Sequence, residues 1–137
     1  MLVDGVGIPL SVAVAGANRN DFKLAAATLL GYPIPRPLPT PDDPHHLCLD
    51  KGYDYPEVDE LAELLGYLTH TRRRGEDPVQ GLREFGKKAR RWVVERTHSW
   101  LNRFRRILIR WEKYVDNYEA LLHLTFALIA FRSCQLI

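Results

Sequence analysis

Two carboxylates in this sequence stand where hard-cation chemistry could be done. Glu95 is the one acidic side chain in the run from Arg90 to Arg106, a strongly basic stretch punctuated by Trp92, Trp100 and Phe104. A carboxylate kept among arginines suits a protein that holds a metal ion against a nucleic-acid phosphate. Asp50 ends the apolar stretch His46-Leu47-Cys48-Leu49 and precedes a glycine-containing loop, Lys51-Gly52-Tyr53-Asp54. Open α/β sheets gather ligands at the C-terminal ends of their strands. Glu95 follows Asp50 by 45 residues, on a stretch of helical periodicity. A strand-end Asp and a helix Glu brought together over a sheet can share Mg²⁺ through oxygen ligands. Two such ions about 3.5–4 Å apart activate a water or a 3′-hydroxyl and stabilise the leaving oxygen of a phosphodiester. Each group also has a plainer reading. Asp50 can cap its own turn, and Glu95 can pair on the surface with Arg91, one helical turn back.

The charge pattern favours a polyanionic partner. The chain carries +2 overall, yet residues 72–113 hold 14 Lys and Arg against 5 Asp and Glu, or +9, leaving 5 against 12, or −7, elsewhere. A basic third of an otherwise acidic chain is the electrostatic footprint of a phosphate-contacting surface. Arginine outnumbers lysine there, which suits bidentate phosphate contacts.

Three faces can be drawn on a helix through this region. Val93, Thr97, Trp100, Phe104, Leu108, Trp111 and Val115 recur at steps of three and four as an apolar stripe. Arg91, Glu95, Ser99, Asn102 and Arg106 follow the same steps on another face, and Arg96, Arg103 and Arg110 repeat every seven residues as a rail. The aromatic stripe is shaped for a protein core, so lipid-surface binding is disfavoured.

Other bounds are modest. The length of 137 residues allows one domain with a real core. The chain reads as cytoplasmic: Met1-Leu2-Val3 enters a strand directly, and the run from Ala120 to Phe131 is too short to span a bilayer, reading instead as a buried helix. Cys48 and Cys134 are the two cysteines, expected as reduced core thiols. His46, Cys48 and Asp50 share one face of a strand, but no second cluster has zinc spacing and Cys48 sits between two leucines. A zinc site is therefore not expected.

The positioning elements follow from local signals. Leu2–Val3 and Ile8–Ala15 read as strands joined by the turn Asp4-Gly5-Val6-Gly7. Asp21 is expected to cap a helix over Phe22–Leu30. Residues 32–44 hold six of the nine prolines and read as a stiff inserted loop. A strand over His46–Asp50, a Pro56-led acidic helix closed by Gly66 and a strand over Tyr67–Thr71 come next. A basic helical region spans 81–133, with a break near Asp116-Asn117. The expected architecture is α/β, one mixed sheet of an antiparallel hairpin plus parallel strands, flanked by helices.

Several segments, in order and spacing, resemble insertion-sequence DDE transposases, enzymes with an RNase H-like fold. They are Leu2-Val3-Asp4-Gly5 with Ile8-Pro9-Leu10, Gly16-Ala17-Asn18-Arg19-Asn20-Asp21, Leu49-Asp50-Lys51-Gly52-Tyr53-Asp54, and Arg91-Trp92-Val93-Val94-Glu95-Arg96 running on to Arg106. Tyr118, Leu121, Leu122 and Ala127-Leu128-Ile129-Ala130 match the family's final helix. The resemblance implies that Asp50 is the second catalytic acid and Glu95 the third, both holding Mg²⁺ or Mn²⁺ in the completed site only. It also implies that Arg91, Arg96, Arg103, Arg105, Arg106 and Arg110 contact DNA, supported by Lys51, Trp100 and Asn102. Arg91 occupies the arginine of the family's Tyr-x2-Arg-x3-Glu-x6-Lys signature. Lys88 stands at the tyrosine position, and Arg103 falls one place beyond the final basic position.

By the same resemblance, the first catalytic Asp belongs to a strand upstream of Leu2; Asp4 reads as a turn residue. The expectation is an incomplete RNase H-like domain over 1–137, inactive alone, that cleaves and transfers DNA strands at element ends when complete. An upstream-frame segment, DNA and a second copy of the completed protein are the implied partners, in a nucleoid-associated setting. The alternative is a non-catalytic DNA-binding remnant that uses the basic helix on phosphates.

Overall fold

A computed structural model describes residues 1–16, 18–33, 35–71 and 91–134. The charged loop expected at 72–77 and residues 81–90 of the basic region, Lys88 included, lie outside the described residues.

Strands β1 (Leu2–Val3) and β2 (Pro9–Ser11) pair antiparallel. The Asp4-Gly5-Val6-Gly7 turn between them is organised by Asp4, whose Oδ1 accepts from Val6 N at 2.9 Å and Ile8 N at 2.8 Å. This is the turn chemistry Asp supplies, and the second strand is shorter than expected. A 3₁₀ turn over Asp21–Leu24 then leads into α1 (Ala25–Leu30). The expected single helix capped by Asp21 is therefore divided. The cap position falls one residue earlier, at Asn20, which is extended and makes no side-chain cap bond.

Strand β3 (His45–Leu49) and β4 (Tyr67–Thr71) pair parallel, connected through a 3₁₀ turn at Lys51–Tyr53 and helix α2 (Pro56–Leu64). Parallel strands need such a crossover. Pro56 sits at the start of α2, where its missing N–H costs nothing. Gly66 ends the connection at φ +74, and a Cβ there would meet Pro39 Cγ at 2.7 Å. Only glycine allows both the backbone and the contact. The proline loop is thus fastened to the fold. Arg36 donates to the Leu65 carbonyl, and its guanidinium lies 4.1 Å over the Tyr67 ring.

Among the described residues, the basic region holds three helices: α3 (Arg91–Leu101), α4 (Arg105–Leu108) and α5 (Val115–Cys134). The helix pair expected here breaks earlier than Asp116-Asn117, since Asn102 and Arg103 end α3 and α5 already starts at Val115. Bonds from Arg103 N to Trp100 O and from Phe104 N to Leu101 O tighten that end. As a result the single apolar stripe and the heptad arginine rail do not exist as continuous helix faces. Leu108, Trp111 and Val115 are exposed, and Arg103 and Arg110 lie off α3.

The architecture is mixed α/β, but its strands form two separate two-stranded sheets rather than one. Among the described residues each strand has a single neighbour, and no ladder bridges the hairpin to the parallel pair. The core is divided likewise. Leu29, Leu47 and Ala62, with Leu2, Leu49, Leu61, Leu65 and Tyr67 against them, fill the space under β3–β4. Leu101, Leu122, Phe126 and Ile129 form a second cluster with Val12, Val14, Trp100 and Phe104. Stacking of Phe22 on Tyr55, centroids 4.1 Å apart, ties the first 3₁₀ turn to the N-terminal end of α2.

Alternation along β3 buries Leu47 and turns Cys48 to the open face. Cys48 and Cys134 are both free and both exposed, which corrects their expected core placement. Helix α5 carries apolar side chains on more than one face, and only one face is covered: Leu122, Thr125, Phe126 and Ile129 are buried while Leu124, Leu128 and Phe131 are exposed. The run from Ala120 to Phe131 is thus half-buried rather than buried. Among the described residues, no helix is long and apolar enough to cross a membrane.

Candidate functional site

Asp50 lies immediately after β3, at its C-terminal end, as the strand pattern requires. Its Oδ1 accepts from Lys51 N at 2.8 Å, and its carbonyl accepts from Tyr53 N at 2.9 Å. Asp50 therefore does cap its own turn, and the cap holds an exposed carboxylate at the strand end. Lys51 is exposed in the same turn.

Glu95 is exposed at mid-length on α3. The opposite side of that helix is fixed against the hairpin turn. Thr97, 0 % exposed, places Oγ1 2.6 Å from the Gly7 carbonyl and 3.2 Å from that of Val93. A hydroxyl has one proton to give, and the shorter contact takes it to Gly7. Gly7 has φ +94, and a Cβ there would meet Thr97 Oγ1 at 3.2 Å and the Val93 carbonyl at 3.4 Å. Next to it, Arg96 Nη1 donates to the Val6 carbonyl at 3.1 Å, with the guanidinium 4.4 Å from the Trp92 ring and 5.8 Å from that of Trp100.

The remaining predicted residues separate into engaged and unengaged groups. Trp100 is half-buried against the second core cluster, and Asn102 is exposed just past the end of α3. Arg106 Nη2 lies 3.1 Å from Glu112 Oε1; the Glu112 side chain is 7 % exposed against 72 % for Arg106. The contact is an ion pair outside hydrogen-bond alignment, and among the described residues neither oxygen of Glu112 accepts a hydrogen bond. Arg110 donates to the Glu112 carbonyl at 3.2 Å and lies 5.2 Å over the Tyr118 ring. Arg103 and Arg105 are exposed and, among the described residues, make no side-chain hydrogen bond or ion pair. Arg91 opens α3, and its side chain lies outside what is described.

Arg106 is consequently expected to matter for stability. Arg106→Ala leaves the Glu112 carboxylate without its counter-charge, which in fully buried pairs costs about 3–5 kcal/mol. The exposure of Arg106 lets water compensate in part, so a loss of about 2 kcal/mol is expected in urea unfolding. Adding Glu112→Gln should recover most of it. A single-mutant loss below about 0.5 kcal/mol would show the pair to be inert.

Sequence reading missed the Gly7–Thr97 contact, although a signal existed: a hydroxyl within an apolar stripe needs an acceptor, and a glycine turn exposes carbonyls. It also missed the cross-strand pair on the open face of β3–β4, where His46 Nδ1 and His70 Nε2 are 2.7 Å apart. His70 stands in register with Cys48. Even so, among the described residues no three His, Cys, Asp or Glu side chains are gathered as metal ligands would be. Asp50 and Glu95 are thus placed on their expected elements without forming a three-ligand cluster.

Comparison with known proteins bears on what these elements belong to. The sequence profile of the transposase DDE domain matches residues 1–130. The transposase assigned to insertion sequence element IS402 of Burkholderia cepacia is 34% identical over 144 residues, covering 98% of this chain and 63% of its own length. The chain thus spans less than two thirds of that relative. No solved structure gives a significant match. A strand-end Asp, a helix Glu and a profile match over nearly the whole length agree, and the chain belongs to the transposase DDE domain family.

Proposed function

We propose that this chain is the C-terminal part of an insertion-sequence transposase that cuts DNA and joins it at element ends. The observation that carries the reading is the family match over residues 1–130, together with a carboxylate at the end of β3 and another on α3. In this reading the fold is an incomplete RNase H-like domain over 1–137, with 32–44 as an inserted loop and 81–133 as its basic helical part. A strand upstream of Leu2 supplies the first acid and fills the gap between the hairpin and the β3–β4 pair. The two separate sheets, and a relative that extends well beyond the match, both support that.

Asp50 and Glu95 fit Mg²⁺ or Mn²⁺ because both are exposed carboxylates, and hard cations that keep several waters bind through one or two such groups. When bound, the metal supplies a polarised phosphate and an activated water or hydroxyl. The chain's own part is to hold the two carboxylates at fixed places, Asp50 by its turn cap and Glu95 by the docking of α3. Lys51, beside Asp50, supplies positive charge where a phosphate would approach, and Asn102 is exposed just past the end of α3.

Of the six arginines read as DNA contacts, Arg103 and Arg105 are the strongest candidates, since Arg96, Arg106 and Arg110 already hold protein groups. Arg103→Ala and Arg105→Ala should each weaken binding to any duplex and reduce the salt slope of log K by about 1. An unchanged slope would remove that residue from the interface.

The decisive assay combines this chain with the segment encoded upstream of it, Mn²⁺ or Mg²⁺, and DNA carrying the element ends. Metal-dependent nicking that Glu95→Gln abolishes supports the transposase reading. DNA binding without nicking, tolerant of Glu95→Gln, would support a binding module instead.

A further inference from the structure

We propose that Gly7, Thr97 and Arg96 form a positioning lock that sets the direction of Glu95, with Asp4 holding the turn they grip. The inference rests on the reading of Glu95 as a metal ligand, and its physical basis is independent of that reading.

Helix α3 meets the hairpin through two main-chain carbonyls separated from it by 90 residues of sequence: Val6 receives Arg96 and Gly7 receives Thr97. The turn is a rigid acceptor. Asp4 Oδ1 takes the N–H groups of Val6 and Ile8, and Gly7 N donates to the Asp4 carbonyl at 3.2 Å, so the carbonyls of Val6 and Gly7 face outward with few alternatives. Thr97 is fully buried, and any side chain at Gly7 would press on it, so the helix surface lies directly on the turn. Trp92 and Trp100 flank the Arg96 guanidinium and hold it over the turn.

Helix geometry turns this contact into a statement about Glu95. At 3.6 residues per turn, Glu95 lies about 160° around the axis from both Val93 and Thr97. The Thr97–Gly7 contact therefore grips the side of α3 that faces away from the carboxylate, while Arg96, about 100° from Glu95, holds the flank. A twist of the helix on the turn would swing Glu95 sideways, and the two side-chain bonds to main-chain carbonyls resist that twist. Groups that orient a metal ligand from behind typically change metal affinity by about 10–100-fold when removed. Arg96 thereby serves the site through α3 as well as through its charge.

The test uses Thr97→Val, which keeps shape and removes the donor, Thr97→Ser as the conservative rescue, and Gly7→Ala from the turn side. Arg96→Gln is the mild variant should either of the others fold poorly. Two readouts are taken on this chain joined to its upstream segment: hydrogen exchange of backbone amides, and Mn²⁺ affinity by electron paramagnetic resonance. Thr97→Val, Gly7→Ala and Arg96→Gln should speed exchange across residues 92–100 while leaving α5 protected, and should weaken Mn²⁺ binding by about tenfold or more. Thr97→Ser should restore both. Unchanged exchange in α3 overturns the lock. Faster exchange with unchanged Mn²⁺ affinity overturns its link to Glu95. If the unsubstituted completed protein binds no Mn²⁺, the metal reading of Glu95 and the link to it both fail, and the exchange data alone decide the lock.

Discussion

Asp50→Asn and Glu95→Gln are each expected to lower metal-dependent DNA nicking by the completed protein by at least about 10³-fold, or ~4 kcal/mol of barrier. Both changes keep the side chain's size and remove the charge a hard cation requires. Neither residue belongs to either core cluster, so the melting transition should barely move. DNA affinity should also stay close to that of the unsubstituted protein, because the basic residues that contact phosphate are untouched. An equal loss of binding and nicking would point to a damaged surface rather than to lost chemistry. Asp50→Asn has an added virtue. Its side-chain oxygen can still accept from Lys51 N, so the turn that positions it survives the change.

Phe126→Ala is expected to be the most damaging single core substitution. Phe126 is 6 % exposed and sits among Leu101, Leu122 and Ile129, where the end of α3 meets α5. Removing a buried aromatic ring forfeits its transfer free energy and leaves a cavity, together costing about 3–5 kcal/mol. That is a large share of the stability of a typical domain, about 5–15 kcal/mol. Phe131, on the same helix but 60 % exposed, provides the contrast. Phe131→Ala should stay within about 0.5 kcal/mol. Urea denaturation of both variants checks this, and equal midpoints would mean that α5 is not docked by the face that Phe126 marks.

Elements governed by local signals were legible in the residues. Pro56 and Gly66 bracket α2, and β4 falls at Tyr67–Thr71 as its β-branched and aromatic residues suggest. Asp4 turns the hairpin by accepting from the backbone N–H groups of Val6 and Ile8, a chemistry contained in the five residues from Asp4 to Ile8. The stripe from Val93 to Val115 misled because periodicity survives a break in the helix. Asn102 and Arg103 end α3, yet Leu108 and Trp111 keep the step of three and four by coincidence. Cys48 misled because two flanking leucines look like burial from both sides, whereas a strand alternates. The separation into two sheets was not legible either. Each pair has its own register and turn, and nothing local in Leu2–Val3 or His45–Leu49 states which strand lies beyond its open edge. For the site, residue types and spacing located Asp50 and Glu95 on their elements. The grip of Thr97 on Gly7 depends on a contact spanning 90 residues, which local pattern does not encode.

The most direct test of the central claim, that Asp50 and Glu95 hold one divalent-metal site, is backbone cleavage directed by bound iron. Fe²⁺ substituted for Mg²⁺ in the completed protein reduces added hydrogen peroxide to hydroxyl radicals, being oxidised to Fe³⁺, and the radicals cut the chain near the metal's ligands. The expected result is two clusters of cuts, one around Asp50-Lys51 and one around Glu95, both suppressed by excess Mg²⁺ and both lost in Glu95→Gln. Cuts at the His46–His70 pair alone, or none at Glu95, would contradict it.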